Sequence, residues 1–260
     1  MRKPFDFRDL DKLKNRFTYP DWYKTYWMFD EDSRKYWEWQ YDLYKRGEPY
    51  VLPEWTLRQK PSEVHQLMSK DFYNEVPKDF HSILDLGCSD GYMVKYIQDD
   101  GKDVIGVNDM LFPTDRIFIE ESKINVQEMD MHNLSFPNET FDAVWCRHVL
   151  EHSFAPMIVL AEIYRTLKPN GYLFIVLPPP PNPPGAYHGH WHQIPDYQLE
   201  YLLQMCNFVV LSMKIAYFTY ETENDNSEIR AICRSAKSPQ ECERSLTQPD
   251  PSQAPSSERS

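Results

Sequence analysis

Asp85 ends an apolar run, SILDL, and Gly87, Cys88, Ser89 and Gly91 follow it before a helical pattern begins. A strand, a tight glycine loop and a helix start in that order bring a carboxylate and backbone N–H groups together. That arrangement suits a ligand with ribose hydroxyls and a charged amino-acid tail. Gly87 and Gly91 let the backbone come close to such a ligand. About twenty residues on, the run VIGVND ends in Asn108 and Asp109, polar groups at the carboxyl end of a second strand. HVLEH then places His148 and His152 after a fourth apolar run, and the ordinary pKa of His148 suits it to accept a proton near neutrality. His188, His190 and His192 alternate in YHGHWHQ. Two histidines on one strand face can ligate zinc, but no Cys or carboxylate lies at motif spacing to complete a set, so no metal is expected.

The elements that must hold these groups alternate. Apolar runs predict strands over 82–86, 104–107, 125–129, 143–146, 172–177, 208–216 and 228–233, with helices over 92–99, 156–167 and 196–205. Alternation of this kind gives an α/β fold, a doubly wound and mostly parallel seven-stranded sheet covered on both faces. The last two strands are joined by a polar loop, Glu221 to Ser227, with no helix between them, and should form a C-terminal antiparallel hairpin. A helix over about 62–75 precedes the first strand. Residues 1–60 form an aromatic-rich extension whose apolar residues recur at helical spacing, interrupted by Gly47 and the Pro49–Pro53 region. This extension either caps an acceptor pocket through its aromatic faces or packs as amphipathic helices. Residues 61–234 are expected to make the α/β domain, and 235–260, rich in Ser, Pro, Gln and Glu, are expected to be disordered.

The succession SILDLGCSDGYM, VIGVND, VQEMD, FDAVW, HVLEH and LKPNGYLFIVLP resembles the class I S-adenosylmethionine-dependent methyltransferases of small-molecule type, over roughly Ile83 to Arg234. The resemblance implies a Rossmann-like methyltransferase fold with S-adenosylmethionine as cofactor and a small-molecule acceptor. It implies that Asp85, Gly87, Cys88, Ser89 and Gly91 form the cofactor loop, and that Asp130 accepts the adenine amino group while Met131 contributes an N–H and apolar contact. Asp130 could instead cap the turn that follows it. Ser89 stands where the family usually has Gly. Asn108 stands where it usually has an acidic residue for the ribose hydroxyls. Either Asn108 serves there or the strand ends early and Asp109 turns in, since adjacent strand residues face opposite ways. His148 lies beside the methionine part of the cofactor and is the candidate base, whereas His152 belongs to the packing of its turn. His188 and His190 fall in a loop expected to line the acceptor pocket.

A net charge of −12 opposes a polyanionic substrate, so no nucleic-acid partner is expected. No apolar run is long enough for a membrane span. The N-terminus lacks a signal core, and five scattered Cys make no disulfide framework, which together point to the cytoplasm. A nicotinamide dehydrogenase would need G-x-G-x-x-G, which this loop lacks. A binding protein that keeps the fold without transfer is the alternative that the Ser89 and Asn108 departures permit.

Overall fold

The computed structural model describes residues 31–49, 63–109, 111, 113–180, 190–218 and 226–236. Helix α1 (Glu31–Lys45) and helix α2 (Glu63–Glu75) come first. Then follow β1 (Ser82–Leu86), α3 (Tyr92–Asp99), β2 (Asp103–Asn108), α4 (Pro113–Ser122), β3 (Val126–Glu128) and β4 (Phe141–Arg147). One 3₁₀ turn (Leu150–His152) leads to α5 (Pro156–Thr166), β5 (Leu167–Leu177), α6 (Asp196–Met205), β6 (Phe208–Phe218) and β7 (Asn226–Ser235).

The seven strands form one sheet in the order β3-β2-β1-β4-β5-β7-β6. The strands β1 to β5 run parallel, with Leu86 opposite Val107 on one side and Cys146 on the other. β7 pairs antiparallel with both β5 and β6, and with β6 it forms the expected C-terminal hairpin. The order reverses between β1 and β4, so the loops after these two strands flank the crevice where open α/β sheets bind ligands.

Side-chain alternation splits the core in two. Leu84, Leu86, Val144, Cys146, Leu173 and Ile175 face α5 and α6, meeting Leu160, Ile163, Leu199 and Leu203. Ile83, Val104, Ala143, Trp145 and Phe174 face α2 and α3, meeting Phe72, Tyr73, Val94 and Ile97. Trp145 is the hub of that second layer, 5.3 Å from the Phe72 ring and 6.1 Å from Tyr73.

All seven expected strands are present. β6 and β7 are longer than the apolar runs suggest, because edge-side residues that are polar still pair along the hairpin. Helix α4 was not expected: Ile117, Phe118 and Ile119 are contiguous and carry no helical spacing, while Pro113 and Asp115 at the helix start supply the start signal. α1 ends where Gly47 predicts, the N–H groups of Gly47 and Glu48 closing onto the carbonyls of Tyr44 and Leu43 at 2.9 Å. It rests on α4 through polar pairs, Lys45 and Tyr41 with Glu120 and Arg116 with Glu38. His188, residues 1–30 and 50–62, and the tail beyond 236 lie outside the described residues. No helix among the described residues is long and apolar enough to cross a membrane.

Candidate active site

The loop after β1 is built from both sides. Gly87 and Gly91 hold φ of +76° and +82°, and a Cβ on Gly87 would overlap the Val149 side chain. The N–H groups of Gly87 and Cys88 both donate to the Val107 carbonyl, at 2.8 and 3.0 Å, tying the loop to β2. Cys88 turns its thiol inward, where it occupies the space a Cβ on Gly106 would need. It therefore offers a ligand its backbone only. Ser89 adopts φ +51°, the region glycine would take without strain. The Asp90 side chain caps the helix start by accepting the Tyr92 N–H at 3.0 Å.

Asp85 is 3% exposed, and its Oδ2 has no hydrogen-bond partner among the described residues. Burial pushes its carboxyl up to about 7, with Asp90 adding to the rise and Arg147 opposing it. A buried carboxyl with an unsatisfied oxygen costs stability unless something outside the fold pairs with it.

Asn108 is the last residue of β2, opposite Glu128 of β3, and Asp109 follows it, exposed. Asn108 shares a strand face with Val104 and Gly106, the face that Asp85 shares with Ile83. Asp130 accepts both the backbone N–H of His132 and a contact from His132 Nδ1, each at 2.9 Å. It therefore caps its turn through Oδ1, and His132 passes the contact on to Ser153 Oγ at 2.8 Å. Met131 packs against the α5–α6 core. Buried Glu162 and half-buried Arg165 brace the segment after this turn: Glu162 accepts the Leu134 N–H at 2.8 Å, and Arg165 donates to the carbonyls of Leu134 and Phe136.

His148 follows β4 with φ +53° and is the point where three elements meet. Its Nδ1 lies 3.2 Å from Glu151 and its Nε2 3.2 Å from Glu228 on β7, while His65 of α2 stacks on its ring at 5.9 Å. Burial disfavours the imidazolium, but the carboxylates of Glu151 and Glu228 outweigh it and hold the His148 pKa above its ordinary value. His148 is thus more basic than a free histidine. Glu228 is itself fully buried and pairs with Arg147 and Arg230, and Arg230 reaches back to Asp71 and Glu75 of α2. Burial raises the Glu228 carboxyl, yet His148, Arg147 and Arg230 bring it down to about 2.

His190 lies beside His152, their rings 4.6 Å apart and nearly perpendicular, and Glu151 completes the group. Burial lowers the His190 pKa despite the neighbouring Glu151. Glu151 lies inside the HVLEH stretch and Arg147 directly before it, whereas Glu228 and His65 had no local signal, and only the fold shows that they meet His148.

Residues 84–175 match the model of a methyltransferase domain family. The chain is 28% identical over 101 residues to a ubiquinone biosynthesis O-methyltransferase of Histophilus somni, covering 35% of this chain and 42% of that protein. It is 30% identical over 112 residues to a tRNA U34 carboxymethyltransferase of Sulfurimonas denitrificans, covering 40% and 38%. The matched part therefore spans less than half the length of these curated relatives. Among solved structures, a 1,6-didemethyltoxoflavin-N1-methyltransferase of Burkholderia thailandensis, with bound 1,6-didemethyltoxoflavin and S-adenosylhomocysteine, superposes with a TM-score of 0.59. That likeness, at 14% identity over 85% of this chain and 92% of the other, is one of fold.

Proposed function

We propose, from the premise that this chain belongs to the class I S-adenosylmethionine-dependent methyltransferases, that it transfers the methyl group of S-adenosylmethionine to a small molecule bearing a hydroxyl, carboxylate or amine. The observation that carries the reading is Asp85: a buried carboxyl with an unsatisfied oxygen at the sheet's reversal point, beside two left-handed glycines. The ammonium of the cofactor's amino-acid tail is the partner that this oxygen lacks.

Gly87 and Gly91 let the backbone approach, with Cys88 and Ser89 completing the loop. Asn108 is favoured over Asp109 for the ribose hydroxyls, because it projects from the same sheet face as Asp85. Its amide both accepts and donates, without the charge of the usual acid. Asp130 and Met131 flank the adenine position. When bound, S-adenosylmethionine supplies an electrophilic sulfonium methyl, so the protein's task is to align an acceptor lone pair and exclude water. His148 accepts the proton that a hydroxyl or ammonium acceptor must lose, and Glu151 and Glu228 stabilise the imidazolium that results. His190, at the start of the described part of its loop, borders the same space, and His188 belongs to this reading by sequence alone.

The tRNA-modifying relative brings a nucleic-acid acceptor into consideration. The net charge of −12 favours the small molecule, since a polyanion would approach against the field. Incubation with methyl-labelled S-adenosylmethionine and either a low-molecular-weight extract or total RNA tests the reading. Label in the small-molecule fraction supports it, and label in RNA replaces the acceptor class. Cofactor binding with transfer to neither would make the chain a binding protein of this fold.

A further inference from the structure

We propose that Glu151, His152 and His190 form a binding site for a divalent first-row transition-metal ion. One ligand atom from each lies within 4.8 Å of the other two. Donors at zinc distances of 2.0–2.1 Å are about 3.3 Å apart in a tetrahedral shell, so small side-chain rotations close the set. Two imidazoles and one carboxylate suit Zn²⁺, Co²⁺ or Fe²⁺ better than Mg²⁺ or Ca²⁺, which prefer oxygen.

A second, independent observation points the same way. Glu151 is 1% exposed, and neither of its carboxylate oxygens accepts an aligned hydrogen bond from the described residues. The His148 Nδ1 stands 3.2 Å away as an ion pair without hydrogen-bond alignment. A carboxylate buried in this way needs cationic neighbours; the His148 imidazolium is one, and a metal ion on the side of His152 and His190 would bind the carboxylate directly. His148 would then contact the outer side of the Glu151 ligand, the usual position of a supporting partner.

The loop that brings His190 is anchored rather than loosely apposed. The N–H groups of Trp191 and His192 both donate to the Glu151 carbonyl, at 2.8 and 3.2 Å. The third ligand is therefore delivered by the backbone of the first. The expectation that no carboxylate completes the histidine set considered only the residues near His190 in sequence. Glu151 comes from the turn after β4 instead.

Three protein donors leave coordination positions for an outside oxygen. If the methyltransferase reading holds, a metal there would lower the pKa of an acceptor hydroxyl and favour oxygen acceptors over amines. The binding itself does not depend on that reading.

The test uses the full chain, freed of metal with dipicolinate and titrated with Zn²⁺ by calorimetry and with Co²⁺ by visible absorption. One ion per chain with a cobalt d–d band is expected. His190→Ala and His152→Ala should each weaken binding at least tenfold, whereas His81→Gln, on the exposed surface, should leave it unchanged. Glu151→Gln, nearly isosteric, tests the carboxylate without opening a cavity. Near-ultraviolet circular dichroism and S-adenosylmethionine affinity confirm that each variant is folded. Absence of stoichiometric binding, or affinity unaltered in folded His190→Ala and His152→Ala, overturns the site. Metal binding without methyl transfer would leave the site standing and remove the proposed reaction.

Discussion

The carboxyl of Asp85, pushed up to about 7 by burial, would make binding of a cofactor ammonium against it a proton-linked event. In the protein alone the folded state keeps a proton that the unfolded chain gives up near the ordinary carboxylate value of about 4. Asp85 therefore lowers stability progressively as pH rises from about 4 to about 7. An ammonium placed against Asp85 favours the ionised form, so binding below pH 7 releases up to one proton. Affinity for S-adenosylmethionine should rise by as much as tenfold per pH unit up to about pH 7 and then level off. Calorimetry in two buffers of different ionisation enthalpy reads that proton directly. Asp85→Asn should weaken binding and flatten the profile, and a flat profile in the unaltered protein would separate Asp85 from the cofactor. Gly87→Val should abolish binding for a different reason, since the new side chain meets both Val149 and a φ of +76°. This loop was legible in sequence because the dihedral demands of a strand-to-helix turn restrict residue choice locally. The electrostatic state of Asp85 was not, because it depends on how deeply the rest of the fold buries it.

At the scale of elements, the C-terminal hairpin does more than close the sheet. β7 carries Glu228 and Arg230 between α2 and the end of β4, where Glu228 pairs with Arg147 and His148. Its antiparallel pairing followed from a helix-free polar loop, but its contribution to the site did not, since Glu228 and His148 are 80 residues apart. Helix α4 escaped for a converse reason, its contiguous Ile117, Phe118 and Ile119 giving no helical period. Glu228→Ala would take the Glu228 carboxylate from partly buried Arg147 and leave buried Arg230 with the carboxylates of Asp71 and Glu75 alone, and a loss of up to about 3 kcal/mol is expected in chemical denaturation. Its carboxyl is held at about 2, below the ordinary value. The stability it provides is present at neutral pH and fades as pH falls from about 4.5 through 2. Glu228→Gln should remove that acid dependence and also lower the His148 pKa, which histidine NMR titration would follow. An unchanged His148 titration would mean that the hairpin does not set the basicity of the candidate base.

For the whole molecule, the question is whether the aromatic extension belongs to the fold or to the reaction. Among the described residues, both cores are built without α1: α2 supplies Phe72 and Tyr73 to Trp145, and α1 meets α4 through polar pairs. Exposed ion pairs such as Lys45 with Glu120 contribute little to stability. Leu43 and Gln40 are the buried residues of α1 among those described. Deletion of residues 1–60 should therefore leave a folded, seven-stranded protein whose Tm falls by only a few degrees, roughly 2–4 °C per kcal/mol lost at this size. By contrast, Trp145→Ala, at the hub of the α2–α3 layer, should cost about 3–5 kcal/mol. The deletion should keep S-adenosylmethionine affinity within about threefold, because Asp85, Gly87 and Asn108 are held by the sheet and α3 (each 1.4 kcal/mol would be tenfold). Methyl transfer should nevertheless be lost, since the aromatic faces of the extension are what would close an acceptor pocket against water. Solubility, cofactor affinity and turnover of the truncated chain are the three readouts. Aggregation or loss of cofactor binding would assign the extension to packing, and full turnover would deny it any part in the acceptor pocket.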